Sequence, residues 1–203
     1  MIHYDIQNNE IHLKKILNLL DNFAIRTCRI INKFFDYVIV GGYVAILFGR
    51  SRTTEDIDVI IRKGNLDIEL MEEFYSYLQS KNYWVFNALT PKTGYKMLKN
   101  GINIRIAEKE KIIPNIELKL ARKNIDYESF NKSIKVILEK GSLLVGNLEL
   151  NIAFKFYLSS MKDIEDAVYL YCLFNEYIDI EKIYTYASKL NIKKKSIEKY
   201  LRC

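Results

Sequence analysis

Apolar residues recur at helical spacing from Ile11 to Phe35 (Ile11, Ile16, Leu17, Leu20, Phe23, Ile30, Ile31, Phe34), a pattern that predicts one or two amphipathic helices. A short apolar strand, "YVIV", then runs into Gly41-Gly42, and a helix follows through Phe48. The polar stretch "GRSRTTE" reads as a loop, and "DIDVIIR" as a second strand bounded by Lys63-Gly64. Leu66 to Leu78 returns to helical period. "YWVFNAL", "YKML" and "INIRIA" read as strands, the last two joined by the turn signal Lys99-Asn100-Gly101. A further strand, "NIELKLA", follows Pro114, and a short helix is expected near Tyr127 to Asn131. "SIKVILEK" and "LLVGNLEL" resemble a hairpin turning at Gly141 and Gly146.

From Asn151 onward strand signals vanish, and four segments ("NIAFKFYLSS", "KDIEDAVYLYCLF", "DIEKIYTYASKL", "KKKSIEKYLRC") fit helices. The predicted class is therefore α/β (α+β): a mixed sheet flanked by helices, followed by a helical tail. The composition shift near Glu149 divides the chain into a core with N-terminal helices, 1–149, and a C-terminal helical region, 150–203. At 203 residues there is no room for a third large domain.

The net charge of +6 comes from lysine and arginine scattered among acids, with one short run at Lys193 to Lys195, a mild attraction to polyanions. Cys28, Cys172 and Cys203 are odd in number and lack CxxC spacing, which predicts separate thiols in a reducing compartment. The start, "MIHYDIQNNE", is acidic and polar where a secretory signal would be basic and then apolar, and no apolar run nears the ~18 residues of a spanning helix. A cytoplasmic protein without a membrane partner is expected.

The candidate chemistry lies in "VGGYVAILFGRSRTTEDIDV". Two glycines between a strand and a helix allow a tight turn and leave no side chain to block a phosphate from the first helical N–H groups. Asp56 and Asp58 are two apart in a strand, so both carboxylates share one face while Ile57, Val59 and Ile61 take the other. Two like charges on one face repel, and a divalent cation with a taste for oxygen, Mg2+ or Mn2+, would relieve them. A glycine turn for a triphosphate beside paired acids is an arrangement suited to phosphoryl or nucleotidyl transfer.

Gly41-Gly42, thirteen intervening residues and Asp56-Ile57-Asp58-Val59 resemble the defining motif of the polymerase-β-like nucleotidyltransferase superfamily. The form Arg52-Thr53-Thr54-Glu55-Asp56-Ile57-Asp58 resembles its AbiEii-like branch, toxin components of toxin–antitoxin and phage-defence systems. Arg52 would pair with a phosphate or with one of the acids, and Thr54 would cap or brace the loop. The branch carries a lysine on the helix after the core sheet and then a Lys-Asp-x-x-Asp element, which Lys155 and Lys162-Asp163-Ile164-Glu165-Asp166 match in kind and order. The resemblance implies that Lys155 contacts the nucleotide, that Asp163 positions a base, lysine or metal-bound group, and that Asp166 supports helix packing. It also implies a third carboxylate, as general base or metal ligand; Glu117 in "NIELKLA" is the candidate, the competing "NIRIA" offering only Asn103 and Arg105.

By this resemblance Asp56, Asp58 and Glu117 would hold metal, and the reaction would move a nucleoside monophosphate from an NTP to an RNA (tRNA 3′ end) or protein hydroxyl, an antitoxin being a possible partner. An acidic pocket would instead suit a cationic, aminoglycoside-type acceptor, and NTP binding without turnover would mark a non-catalytic module. His3 and His12 lie far from the acid motifs and are given no role; most of the fifteen tyrosines are expected in the core.

Overall fold

A computed structural model describes residues 2–62 and 64–203; the expected strand boundary at Lys63 lies outside the described residues. The frame is a nine-stranded mixed sheet with the order β1-β2-β8-β9-β3-β4-β7-β6-β5. At its centre β3 (Asp36–Val40) and β4 (Asp56–Arg62) pair antiparallel, and β4 runs parallel to β7 (Asn115–Leu120). β3 is buried on both faces, so its apolar run carries no alternation, as expected for a covered strand.

The helical pattern expected from Ile11 begins later than that, and two strands come first. β1 (Ile2–Asp5) and β2 (Glu10–Leu13) form a hairpin, and β2 lies parallel to β8 (Ile134–Leu138), pairing Ile11 with Val136. That partner is more than a hundred residues away, and local periodicity cannot show it. Helix α1 (Leu19–Ile31) starts only at Asn18, whose side chain accepts the Asp21 N–H while Asp21 accepts the Asn18 N–H, a reciprocal cap.

Helix α2 (Gly42–Leu47) and helix α3 (Ile68–Ser80) fall as the pattern predicts. "YKML" does not form a strand. It lies in helix α4 (Pro91–Lys99), which Thr90 caps and Pro91 opens, so Gly101, with φ near +78°, turns the chain out of a helix. β5 (Tyr83–Val85) and β6 (Ile104–Glu108) complete that edge. The short helix α5 (Asn124–Glu128) begins three residues earlier than expected. β8 and β9 (Gly141–Val145) form the predicted hairpin, but "NLEL" is not strand: Asn147 caps helix α6 (Leu148–Leu158) by accepting the Leu150 N–H.

Ser159, in the left-handed region at φ 57°, ends α6, and Ser160 caps α7 (Met161–Leu173) at once, so the two helices pack as neighbours. α8 (Ile180–Lys189) and α9 (Lys194–Glu198) follow. One hydrophobic cluster extends from Ile11 to Leu201, taking in Ile57 and Val59 of the sheet with Ile152, Leu170 and Ile183 of the later helices.

The expectation of three separate thiols is corrected for two of them. Cys172 and Cys203 are joined as a disulfide with Cα atoms 5.3 Å apart, while Cys28 is free and buried. Burial of Ile197 and Leu201 folds the end of the chain back onto α7, and this tertiary return brings together cysteines 31 residues apart. Among the described residues no helix is long and apolar enough to cross a membrane.

Candidate active site

Asp56 and Asp58 project from the first half of β4 on one face, and Ile57, Val59 and Ile61 are buried on the other. The ladder sets Asp58 between Val40 of β3 and Glu117 of β7. Gly41, at φ 75° and ψ −150°, caps α2 in a conformation that favours glycine. A Cβ at Gly41 would lie 2.1 Å from Asp58 Oδ2, and one at Gly42 would lie 1.9 Å from a terminal nitrogen of Arg52. A side chain at either glycine would push aside the end of a neighbouring side chain, Asp58 or Arg52, and at Gly41 the positive φ adds backbone strain.

Burial, then the charges of Asp56 and Glu117, push the Asp58 carboxyl from its usual 3.8 up to about 6, against the opposing pull of Lys155 and Arg105. A carboxylate so destabilised is a group poised for a cation or a proton. Thr54 braces the pair: its hydroxyl lies 3.1 Å from both the carbonyl and Oδ1 of Asp56.

Glu117 stands beside Asp58 in register, but Asn103 donates to its Oε1 at 2.7 Å and Arg105 to its Oε2 at 2.8 Å. Among the described residues no three histidine, cysteine or acidic side chains converge as a metal-binding group. Asp56 and Asp58 fit a divalent cation by the chemistry of their oxygens and the charge strain on Asp58.

The second set of residues assembles around Asp166, which is fully buried. It accepts Nε and a terminal nitrogen of Arg52 at 3.1 and 2.9 Å, the Lys155 ammonium at 2.8 Å, and Arg50 at 3.1 Å. Asp163 takes the other side of Lys155 at 2.8 Å. Burial pushes the Asp163 carboxyl up, but hydrogen bonds from Lys155 and Ser160 outweigh it and hold it below the usual carboxylate range. Lys155, 3 % exposed, is thus held rigidly between two acids, its charge still felt at Asp58. Of the sequence candidates, Gly41, Asp58, Glu117 and Lys155 line one cleft, Thr54 and Asp56 adjoin it through β4, and Arg52, Asp163 and Asp166 form the support behind Lys155.

Asn151 was missed by sequence reasoning. One turn before Lys155, its Oδ1 accepts the Gly41 N–H at 3.2 Å while its amide donates to the carbonyls of Gly146 and Asn147. It fastens the glycine turn to α6, and its signal in the sequence was the four-residue spacing to Lys155. The cleft occupies about 1060 Å³ and runs from Asp58 past α5 to Lys189. One wall carries Lys119, Arg122 and Lys123, and α6 presents the exposed Phe154, Tyr157 and Leu158, with the two aromatic rings 5.5 Å apart. Lys119 is paired with Asp126 and Lys189 with Glu128, whereas Arg122 and Lys123 have no ion-pair partner among the described residues.

The fold is that of nucleotidyltransferases. Solved structures similar to the chain include an antigenic nucleotidyltransferase-like protein from Paracoccidioides brasiliensis, at 16% identity and TM-score 0.50, covering 89% of this chain and 90% of that one. ANT(2'')-Ia in complex with adenylyl-2''-tobramycin is similar at 13% identity and TM-score 0.52, covering 81% of this chain and 92% of that one. The solution structure of the antibiotic-resistance factor ANT(2'')-Ia gives 13% identity and TM-score 0.52, with 86% and 96% covered. No protein-family profile matches the sequence, and no curated protein does.

Proposed function

We propose that the chain transfers a nucleoside monophosphate from an NTP to a hydroxyl group of an RNA acceptor, as the nucleotidyltransferase of the AbiEii-like branch that its motifs resemble. The observation that carries the reading is the approach of the Gly41-Gly42 turn to the ends of the Asp58 and Arg52 side chains. A phosphate chain held at that turn would lie against the paired acids.

Asp56 and Asp58 would hold Mg2+ or Mn2+, which when bound supplies charge neutralisation on the phosphates. Asn151 fixes the glycine turn, and Lys155 contributes a buried positive charge toward the same side. Asp163 and Asp166 keep that lysine in place by accepting hydrogen bonds from its ammonium group. Glu117 is the base candidate, and Asn103 and Arg105 orient its carboxylate.

The acceptor reading rests on charge. Asp126 and Glu128 of the cleft are neutralised by lysines, leaving Arg122 and Lys123 free to meet phosphates, and Phe154 and Tyr157 offer rings on which bases stack. A polycationic acceptor of the aminoglycoside type would find few free carboxylates there. A toxin role with an antitoxin partner follows only from the resemblance and is part of the proposal.

The test is incubation with each NTP labelled at the α-phosphate and Mg2+, separately with total tRNA, lysate protein and an aminoglycoside, alongside Asp58→Asn. Label on tRNA that vanishes in the variant is the expected result. Label on the aminoglycoside or on protein alone would overturn the acceptor, and tight NTP binding without transfer to any acceptor would overturn the reaction.

A further inference from the structure

A second hollow, of about 370 Å³, shares no lining residue with the catalytic cleft. Arg26, Arg29 and Lys33 recur at i, i+3 and i+7, so the first two share one face of α1 and Lys33 extends it just past the helix end. Lys81, at the C-terminal end of α3, joins them, and a single carboxylate, Glu108, faces the four cations. Glu108 is already shared between Arg26 at 2.7 Å and Lys111 at 2.6 Å. Lys33 donates to the Tyr77 hydroxyl at 2.6 Å, and the Lys33 and Lys81 ammonium groups stand 4.6 and 5.4 Å from the centre of the Tyr77 ring.

Like charges gathered in a concavity repel one another, and a fold that tolerates them has an anion to put there. An independent observation points the same way. Tyr83 lines the hollow and is 5 % exposed; its buried hydroxyl lies close enough to Arg26 to raise that guanidinium's pKa, yet among the described residues it makes no hydrogen bond of good geometry. A buried phenol left unsatisfied costs the fold free energy that a ligand oxygen would recover.

We propose that this hollow binds a chain of two or three phosphates, through Arg26, Arg29, Lys33 and Lys81 with the Tyr83 hydroxyl as a further donor. The charge balance selects the ligand: four cations against one carboxylate leave a net of +3, more than a single phosphate of about −2 neutralises. The volume is near the lower end for small-molecule pockets and accommodates an oligophosphate. The phosphate chain is supplied either as an inorganic oligophosphate or as part of a nucleoside triphosphate.

The site is tested by calorimetric titration of the full chain with inorganic tripolyphosphate and, separately, with ATP, in the presence of EDTA. Wild type is compared with Lys33→Gln/Lys81→Gln, with Tyr83→Phe and with Asp58→Asn. The double variant, changed at two exposed positions, weakens tripolyphosphate binding by about tenfold or more. Tyr83→Phe melts within a few degrees of wild type, because the hydroxyl makes no hydrogen bond of good geometry, and yet binds roughly threefold more weakly. Asp58→Asn retains wild-type affinity at this hollow, which separates it from the catalytic cleft whatever becomes of the proposed transfer reaction. ATP binding that is lost in the double variant in step with tripolyphosphate makes the nucleotide a source of the phosphates; ATP binding indifferent to the variant leaves the inorganic chain. An affinity for tripolyphosphate that changes less than twofold in the double variant overturns the site, and so does Tyr83→Phe binding as tightly as wild type.

Discussion

Replacing Asp58 by asparagine should make the protein more stable at neutral pH while ending its chemistry. The folded chain holds this carboxyl at about 6, raised by burial and by the charges of Asp56 and Glu117. An unfolded chain releases the proton near 3.8. Between those values the folded state binds more protons than the unfolded state, so Asp58 lowers stability as pH rises through the window, and its cost is complete above about pH 6. The displacement from 3.8 to about 6 corresponds to ~3 kcal/mol. Asparagine keeps the shape and removes the charge, so at pH 7 it should gain up to ~3 kcal/mol, or roughly 6–12 °C in melting temperature for a chain of this size. Denaturant titrations of both proteins at pH 4 and pH 7 isolate the effect of this charge and its coupling to Asp56 and Glu117, because titrating groups not coupled to Asp58 cancel in the difference. The gap should nearly close at pH 4. A gap equal at both pH values, or an asparagine variant less stable at pH 7, would refute the electrostatic account of the site.

Three further outcomes follow from named contacts. Gly41→Ala combines a φ of 75° with a Cβ placed 2.1 Å from Asp58 Oδ2; it should cost about 1–3 kcal/mol and abolish nucleotidyl transfer with the circular dichroism spectrum retained, and wild-type turnover would count against it. Asp166→Asn leaves Arg50, Arg52 and Lys155 facing a neutral amide in a buried site, and chemical denaturation should show a loss of about 3–5 kcal/mol; a loss below 1 kcal/mol would mean that the acid is no keystone. Arg105→Gln removes a charge that holds Asp58 down, so the pH at which the Asp58→Asn gap is half-developed, measured in that background, should move upward; an unmoved midpoint would place Arg105 outside the circuit.

How much of this was legible beforehand depends on whether the information was local. β4 could be read because the alternation of Asp56, Asp58 and the buried Ile57 and Val59 lies within one strand, and the glycine turn because strand, turn and helix are contiguous. The N-terminal hairpin was not legible, since Ile11 is a strand residue by virtue of pairing with Val136. "YKML" failed for another reason: four apolar-leaning residues fit either period, and the cap at Thr90 with Pro91 decides for helix. At the site, the acids and lysine were visible as types, but their partners were not. That Asp166 gathers Arg50, Arg52 and Lys155, and that Arg105 engages Glu117, are facts of tertiary approach. The pairing of Cys172 with Cys203 belongs with them, because only the return of the chain end onto α7 makes it.

The central claim is that the bond broken lies between the α- and β-phosphates of an NTP. It is tested most directly by parallel reactions with α-labelled and γ-labelled NTP, Mg2+ and tRNA, with Asp58→Asn as the control. The account predicts α-label on the RNA and an equal amount of γ-label released as pyrophosphate, both lost in the variant. Transfer of the γ-label to the acceptor, or α-label incorporation that persists without the Asp58 carboxylate, would contradict it.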